Sequence, residues 1–384
     1  MSRQNRQPRE RKARGISHVG ERHEVVVGPV AHGGHCVARV EVPGAGEDGA
    51  AAQRVVFVRH TLPGERVIVE ITEGTAGDRF WRGDAVEVLE ASAQRVEAPC
   101  RFSGPGLCGG CDFQHVKVSH QRALKAGVVK EQLVRLGGLE AENPLVAGLR
   151  VEQVSGDKNG LHWRSRTRFA GTIGGGRAMR KHRSRELVEI DECLIEGETV
   201  SHTVHGVAFE VAPGGFWQVH PGAPEALVDT VLEFLDPQPG EAVLDLYAGV
   251  GLFGRFLAEK VGTEARVVAI EGDETAAKLA KKNMTGLAKI RTAAGLVDHV
   301  LRDQFDEPFD LVVLDPPREG AKRKVVERVV DRAPRAVAYV ACDPAALARD
   351  IALFAEHGYR LEKLRAFDLF PMTHHVECVA LLVR

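Results

Sequence analysis

The stretch Val243-Leu244-Asp245-Leu246-Tyr247-Ala248-Gly249-Val250-Gly251-Leu252-Phe253-Gly254 decides the fold of the C-terminal half of this 384-residue chain. Its first residues predict a buried strand, and Gly249, Gly251 and Gly254 have the G-x-G-x-x-G spacing of a tight turn that leads into a helix. Such glycines let the backbone approach a ligand at the carboxyl edge of a parallel sheet. Nicotinamide cofactors and S-adenosylmethionine (SAM) both bind there, so the glycines alone do not choose between them.

Apolar runs alternate with amphipathic segments from this loop to the end of the chain. Helical patterns at residues 274–283 and 344–357 separate the runs, which predicts an α/β domain with a doubly wound parallel sheet over residues 216–384. The predicted strands of this sheet are residues 242–246, 267–270, 311–314, 336–340, 361–366 and 376–383.

Short strands with turn punctuation occupy residues 17–95, for example at 24–30, 54–58, 66–71 and 85–89. About five strands in so short a region predict a small β-barrel of the OB type. Such barrels commonly bind nucleic acid, although a barrel can also be only an architectural spacer. Residues 1–16 form a basic tail that we expect to be disordered. Residues 96–215 form a central α+β region with a helical stretch near 119–136.

A basic block at residues 164–185 stands out because the net charge of the whole chain is only −2. The block contains no acid and lies beside Trp163. It predicts a phosphate-facing surface for RNA, with an ordinary solvated face as the alternative. Its members are Arg164, Arg166, Arg168, Arg177, Arg180, Lys181, Arg183 and Arg185.

The N-terminal residues carry arginine and lysine with no apolar stretch behind them, which argues against a secretory signal. No apolar run approaches the roughly 18 residues of a membrane span. We therefore expect a cytoplasmic, monomeric protein without a membrane partner.

Two acids favour SAM over a nicotinamide. Asp245 lies inside the strand before the glycine loop, where dinucleotide-binding folds normally have an apolar residue. Asp315-Pro316-Pro317-Arg318 closes a later strand, at the place where many methyltransferases hold the acceptor base. Glu271, at the end of another strand, can accept hydrogen bonds from the ribose hydroxyls of either cofactor.

A cysteine follows one strand and precedes a helix in Val340-Ala341-Cys342-Asp343-Pro344. A helix N-terminus lowers the pKa of a thiol, so Cys342 is a candidate nucleophile, although a lone cysteine is more often a core residue. A nucleophilic cysteine would suit methylation of uracil at C5. That carbon is too weak a nucleophile to take a sulfonium methyl group unaided, and thiolate addition at C6 turns it into an enolate carbon.

This chemistry also needs a base that removes the C5 proton, so that the thiolate can leave. Glu377, where the last predicted strand begins, is the best candidate, and a surface salt bridge is its alternative role.

These motifs together resemble the bacterial RNA uracil-5-methyltransferases over nearly the whole chain. The matching segments are Phe216-Trp217-Gln218-Val219, residues 245–254, Asp315-Pro316-Pro317-Arg318, Cys342-Asp343-Pro344 with Leu347-Ala348-Arg349-Asp350, and Phe370-Pro371 with His375-Val376-Glu377.

The resemblance implies that Cys342 is the nucleophile and Glu377 the proton acceptor. It implies that the residues that bind SAM or border its pocket are Gln218, Tyr247, Glu271 and Asp315. It further implies an N-terminal TRAM barrel that binds RNA, a central iron–sulfur region and a Rossmann-like methyltransferase domain.

Three cysteines lie close together in the sequence and a fourth follows far along the chain: Cys100, Cys108, Cys111 and Cys193. Zinc ribbons usually have two C-x-x-C pairs, and here the second pair is incomplete. Four thiolates can equally hold a 4Fe–4S cluster. The spacing leaves both open, and similarity to the rRNA-directed family members implies the 4Fe–4S cluster.

The same resemblance implies 23S rRNA as the substrate, because members with both the barrel and four cysteines mostly act on large-subunit rRNA. A tRNA is the alternative. Two other classes stay open on the sequence. A Rossmann oxidoreductase would explain only the glycines and Glu271, and an RNA-binding or assembly factor would leave Cys342 and Glu377 without a role.

Overall fold

The computed structural model describes residues 15–42, 52–172 and 174–384. The chain divides into two units. The first contains the residues up to Val116 together with Arg180–Glu186, and the second contains Lys117–Met179 and Leu187–Arg384. The predicted disordered tail lies outside the described residues except for its last two.

The first unit is built on a six-stranded sheet. Its strands are β1 (Arg22–Val26), β2 (Val30–Ala31), β3 (His35–Val42), β4 (Ala52–Arg59), β5 (Arg66–Glu73) and β6 (Phe80–Glu90), in the order β1-β5-β6-β4-β3-β2. Alternate residues of β3 and of β5 are buried, as expected for strands with one face on a core.

Closure of this sheet depends on Gly28, which follows β1. Its N–H donates to Val37 O on β3 at 2.7 Å and so joins the two edges of the sheet. A Cβ at this position would lie 3.1 Å from the same oxygen, which is a tight contact. The predicted small barrel is therefore confirmed.

The chain then forms these elements in order: α1 (Val118–Arg135), α2 (Pro144–Ala147), β7 (Val151–Glu152), β8 (Ala170–Gly171), β9 (Arg177–Arg180), β10 (Leu187–Ile190), β11 (Thr203–Val204), β12 (Val207–Ala208), α3 (Ala223–Leu235), β13 (Val243–Leu246), α4 (Leu252–Val261), β14 (Arg266–Glu271), α5 (Glu274–Asn283), β15 (Lys289–Ala294), α6 (Val297–Gln304), β16 (Leu311–Leu314), α7 (Lys322–Asp331), β17 (Ala336–Ala341), α8 (Pro344–Glu356), β18 (Arg360–Phe367) and β19 (Glu377–Val383). None of the helices in the described part of the chain is long and apolar enough to cross a membrane.

An eight-stranded sheet of order β15-β14-β13-β16-β17-β19-β18-β7 is the centre of the second unit. Alternate residues of β13 pack into different cores, Leu244 and Leu246 into one and Val243 into the other. Helices cover both cores, so the doubly wound α/β fold is confirmed.

The prediction of a wholly parallel sheet is wrong at β19, which runs antiparallel to both β17 and β18. Residues 368–376 connect β18 directly to β19 without a crossover helix. A connection of that kind joins neighbouring strands only when they are antiparallel.

The region predicted as one central domain, residues 96–215, is shared between the two units. Helix α1 packs against α8, and β7 extends the large sheet beside β18, so these segments belong to the core of the second unit. The tip of the β9–β10 hairpin, residues 180–186, belongs to the barrel unit.

Candidate active site

The glycine loop begins where β13 ends. Gly251 caps α4 with a φ of 85°, a left-handed conformation that glycine adopts without strain. The Gly254 N–H donates to Asp245 Oδ2 at 2.9 Å, and a Cβ at Gly254 would lie only 2.7 Å from that oxygen. Asp245 therefore fixes the first turn of α4 from inside the strand.

The carboxyl group of Asp245 is buried, and only one of its two oxygens has a hydrogen-bond partner in the part of the chain that the structure describes. Its Oδ1 has no hydrogen-bond partner among the described residues. Burial raises the pKa of Asp245 to about 8, and the neighbouring Asp315 and Glu271 act in the same direction. A buried oxygen of this kind needs a partner, and a ligand that carries donors or positive charge would supply one.

Glu271, at the end of β14, is held beside the same loop. Its carboxylate accepts the Gly249 N–H at 2.8 Å and the Asp273 N–H at 2.9 Å. Glu271 and Asp245 thus lie where the resemblance implies that SAM binds. SAM carries hydrogen-bond donors and a positive charge, so it fits Oδ1 of Asp245, which lacks a partner within the described ranges.

The register of β17 and β19 brings the two predicted catalytic residues together. Ala341 is the partner of Cys378 in this antiparallel pair. Cys342 and Glu377 are the residues adjacent to this pair on the two strands, so they lie at the same edge of the sheet, near enough for Glu377 to raise the pKa of the Cys342 thiol. A parallel β19 would have placed Glu377 at the other edge of the sheet.

Asp315 and Arg318 reach the same edge from β16, the strand beside β17. The Asp315 N–H donates to Leu246 O at 3.2 Å, next to the glycine loop. Arg318 Nη2 lies 3.2 Å from Nε2 of His375, two residues before Glu377. The edge therefore carries a thiol, two carboxyl groups and a guanidinium.

The surroundings of the Cys342 thiol favour its protonated form. Burial raises its pKa to about 12, and Glu377 and Asp315 add to the shift while Arg318 opposes it. This net rise is opposite to the lowering that the sequence predicts from the helix N-terminus. Asp343 Oδ1 accepts the Ala346 N–H at 2.8 Å, so the side chain of Asp343 occupies the N-terminus of α8.

The two carboxyl groups near Cys342 also favour their neutral forms. Burial raises the pKa of Glu377 well above its usual range, Asp315 raises it further and Arg318 lowers it. Burial raises the pKa of Asp315 to about 7, with a contribution from Glu271. Among these groups Arg318 is the one that favours the ionised thiol and the ionised Glu377.

Asp350, in the matching segment on α8, has a structural role. It is buried and accepts hydrogen bonds from the Ala321 N–H at 2.7 Å and the Tyr339 hydroxyl at 2.6 Å. These contacts hold the segment that follows Arg318 against α8. Asp350 also contributes to the raised pKa of Tyr247, whose largest cause is burial.

Known protein families match the segments of the chain that carry these site residues. The sequence model of the tRNA (uracil-5-)-methyltransferase family matches residues 188–384, half of the chain, and includes Cys342 and Glu377. The model of the TRAM domain matches residues 17–86, within the barrel unit.

The chain belongs to the tRNA (uracil-5-)-methyltransferase family. It is therefore a methyltransferase, and this sets aside the oxidoreductase and the non-catalytic factor.

Relatives match this methyltransferase over nearly its full length. An uncharacterized RNA methyltransferase of Streptomyces coelicolor is 43% identical over 96% of this chain and 94% of its own. One from Streptomyces avermitilis is 42% identical over 95% and 98%. The Pyrococcus abyssi tRNA (uracil-54, C5)-methyltransferase, solved with S-adenosyl-L-homocysteine, covers 90% of this chain and 99% of its own at a TM-score of 0.65 and 22% identity, which shows the shared fold.

Gln218, the remaining predicted SAM residue, lies in the segment before α3 and is 9% exposed. The nearby Trp163 is 1% exposed, stacks on His220 with ring centres 5.9 Å apart and meets Phe370 edge-on at 6.0 Å. The interpretation of Trp163 as part of an RNA-facing surface is wrong, because its ring packs in the interior.

The basic block of this methyltransferase is partly neutralised by its own acids. Arg177 pairs with Glu196, Lys181 with Glu186 and Arg183 with Glu73, at 2.8, 2.6 and 3.3 Å. Three further members are exposed and have no ion-pair partner within the described ranges: Arg168, Arg180 and Arg185. These three are the cations of the block that remain available to phosphate groups.

The predicted metal ligands Cys100, Cys108 and Cys111 are half-buried on one loop of the first unit. The Gly110 N–H and the Gln114 side-chain amide lie 3.4 Å from the sulfurs of Cys108 and Cys111. Hydrogen bonds to sulfur are a feature of iron–sulfur sites, so these thiols suit that chemistry. No three His, Cys, Asp or Glu side chains stand at metal-ion spacing in the described residues, and the ligand set stays a prediction.

Proposed function

We propose that this chain transfers a methyl group from SAM to C5 of a uridine in structured RNA, with 23S rRNA as substrate, through a covalent bond between Cys342 Sγ and C6. The observation that carries the proposal is the register of β17 and β19. It pairs Ala341 with Cys378, so the adjacent Cys342 and Glu377 lie at one edge of the sheet. Membership of the uracil-5 family supports the reaction, and the TRAM match supports an RNA substrate.

The cofactor would be held by the residues at the edge of β13 and β14. Bound SAM supplies an electrophilic methyl group. Asp245, through its open Oδ1, and Glu271 are the acids placed to bind it, and Gln218, Tyr247 and Asp315 complete the proposed set.

Cys342 would begin the reaction by adding to the uracil ring. The thiol gives its proton to solvent, the sulfur forms a bond to C6, and the electron pair of the C5–C6 bond moves to the enolate of C5 and O4. C5 would then bond to the methyl group as the bond from the methyl carbon to the sulfonium sulfur breaks, which leaves S-adenosyl-L-homocysteine. Because burial raises the pKa of Cys342, we infer that its ionisation accompanies substrate binding, and Arg318 is the group that favours it.

Glu377 would complete the reaction as a carboxylate, the form that Arg318 favours against the burial that raises its pKa. It removes the C5 proton, the C–H electrons restore the C5–C6 double bond, and the bond between C6 and sulfur breaks. The thiolate is thereby regenerated. The position of Glu377 near Cys342 lets one carboxyl group serve the ring that the sulfur holds.

The test is methylation of separated RNAs that lack the modification. Purified protein, labelled SAM and either 23S rRNA or bulk tRNA from a deletion strain should give labelled 5-methyluridine in the 23S rRNA. Label in tRNA instead would establish the alternative substrate, the RNA for which the family is named. No labelled 5-methyluridine in either RNA would contradict the proposed reaction.

Charge reversal in the basic block tests its proposed contact with RNA. Arg180→Glu should weaken RNA binding and reduce the salt slope by about one unit per lost phosphate contact. Arg183→Glu should have a smaller effect, because Arg183 already pairs with Glu73. SAM affinity serves as the control and should not change. An unaltered salt slope in Arg180→Glu would mean that this arginine only faces solvent.

We also propose that Cys100, Cys108, Cys111 and Cys193 ligate a 4Fe–4S cluster with a structural role. Four thiols are the usual donor set of such a cluster. The N–H groups near Cys108 and Cys111 support the proposal, and for Cys193 it rests on the sequence. The reaction requires no electron transfer, so the cluster has no evident redox task.

Anaerobically purified protein should be brown and contain about four irons per chain. Cys193→Ser should lose iron while SAM binding persists, because the residues proposed to bind SAM do not include it. Cys36→Ala, a change at a cysteine buried in the barrel, is the matched control and should keep its iron. Stoichiometric zinc without iron would refute the cluster, although the four-cysteine site itself would survive.

A further inference from the structure

The connection between β18 and β19, residues 368–376, leads directly into Glu377. Its Met372 has a φ of 65°, a left-handed conformation that a residue with a side chain keeps only when its surroundings hold it. Within the connection, Thr373 gives Phe370 O two hydrogen bonds, from its N–H at 3.2 Å and its hydroxyl at 2.7 Å. Further restraint comes from helix α1.

Two side chains of α1, one helical turn apart, hold this connection. Lys125 Nζ lies 2.6 Å from Asp368 Oδ1 and 3.0 Å from Phe370 O, and both charged side chains are fully buried. Gln121 Oε1 accepts the Met372 N–H at 2.9 Å, and its Nε2 lies 3.2 Å from the Met372 sulfur. We call Lys125 and Gln121 the α1 clamp.

Stability alone does not account for the clamp. Burial of an ion pair costs both partners their hydration, and apolar residues of similar volume are often as stabilising or more so. An apolar pair cannot form directional hydrogen bonds to particular backbone atoms. The Lys125 ammonium fixes one carbonyl, that of Phe370, and Gln121 fixes one amide, that of Met372.

The clamped connection is linked to the reacting groups by ring contacts and by the chain itself. The Phe370 ring lies 5.8 Å from the ring of His375, whose Nε2 is 3.2 Å from Arg318. Glu377 follows His375 by two residues. The clamp therefore restrains both the strand start that carries Glu377 and the histidine that contacts Arg318.

We infer that Lys125 and Gln121 are positioning residues for removal of the C5 proton, a role that rests on the proposed function. They hold the connection so that Glu377 stays near Cys342. Cys342 is held separately, by β17 and by the capped start of α8. Loss of the clamp should therefore slow release of the RNA more than formation of the covalent adduct.

The test uses the full chain, SAM and unmodified RNA. Lys125→Met combined with Asp368→Leu removes the ion pair without leaving a buried charge, and Gln121→Leu removes the two contacts of Gln121 with Met372. In each variant kcat should fall by about 10²-fold, the loss that a misplacement of about 1 Å can cause, while SAM affinity is unchanged. The protein–RNA adduct, seen on a denaturing gel, should accumulate.

Lys130→Met is the matched control, because Lys130 lies on the same helix but contacts Ala147 O at 2.7 Å, away from the connection. It should keep the wild-type rate. If the double variant fails to fold, Gln121→Leu decides. A wild-type rate, or a slow rate without accumulated adduct, would overturn the inference alone. Absence of 5-methyluridine with the wild-type chain would instead overturn the proposed function.

Discussion

Replacement of Cys342 by alanine is expected to abolish both methylation of uridine and the covalent complex with RNA that contains 5-fluorouridine. Without the sulfur no bond to C6 forms, and C5 stays too weak a nucleophile to take the methyl group. Fluorine at C5 cannot leave as a proton, so the wild-type adduct should persist after methyl transfer. A denaturing gel with labelled SAM measures both effects.

SAM binding is the internal control for this variant. The Cys342 side chain is not among the groups that we assign to the cofactor, so the affinity should be that of the wild type. Cys36→Ala is the matched cysteine control and should keep full turnover, because Cys36 packs in the barrel unit. An undiminished adduct in Cys342→Ala would assign the nucleophile to another residue.

Glu377→Gln is expected to transfer one methyl group and then to stop as the protein–RNA adduct. The amide has nearly the shape of the carboxyl group but cannot accept the C5 proton. The rate of RNA release should fall by about 10²-fold or more, the usual contribution of a general base. Single-turnover kinetics separate this step from methyl transfer.

Glu319→Gln is the matched control for that experiment. Glu319 is an exposed carboxylate next to Arg318, and its replacement should leave the release rate unchanged. A wild-type release rate in Glu377→Gln would show that another group removes the proton.

Several elements could be predicted because their signals are local. The strand at residues 311–314 and the helix at 274–283 have the bounds that the sequence predicts, since each is a short apolar or amphipathic run between clear breaks. The barrel follows from strand alternation and turn residues. The small strand β7 could not be predicted, because its two residues pair with β18 from more than 200 positions away.

Helix α7 and strand β15, which are absent from the predicted elements, have weak local signals. Helix α7 is rich in charge, with the sequence KRKVVERVVD, and β15 has only one buried residue at the edge of the sheet. Their apolar signal is therefore weak. Helix α3 is also absent from the predicted elements, although it buries Leu227, Val231 and Phe234 at the spacing of one helical face, a pattern that does indicate a helix.

The site residues could be placed at strand ends from the sequence, but their environment could not. The pKa of Cys342 depends on burial and on Glu377 and Asp315, which only the folded sheet brings near it. Lys125 is a further example. A lysine in a helix normally faces solvent, and nothing in the local pattern indicates its buried contact with Asp368.

The central claim is that Cys342 bonds to the uridine that receives the methyl group. Mass spectrometry of the complex trapped with 5-fluorouridine RNA and SAM, digested with trypsin and nuclease, tests it most directly. Residues 336–349 should be recovered as one peptide whose Cys342 carries a nucleotide with both fluorine and an added methyl group. A nucleotide on any other residue, or formation of 5-methyluridine without a covalent complex, would contradict the claim.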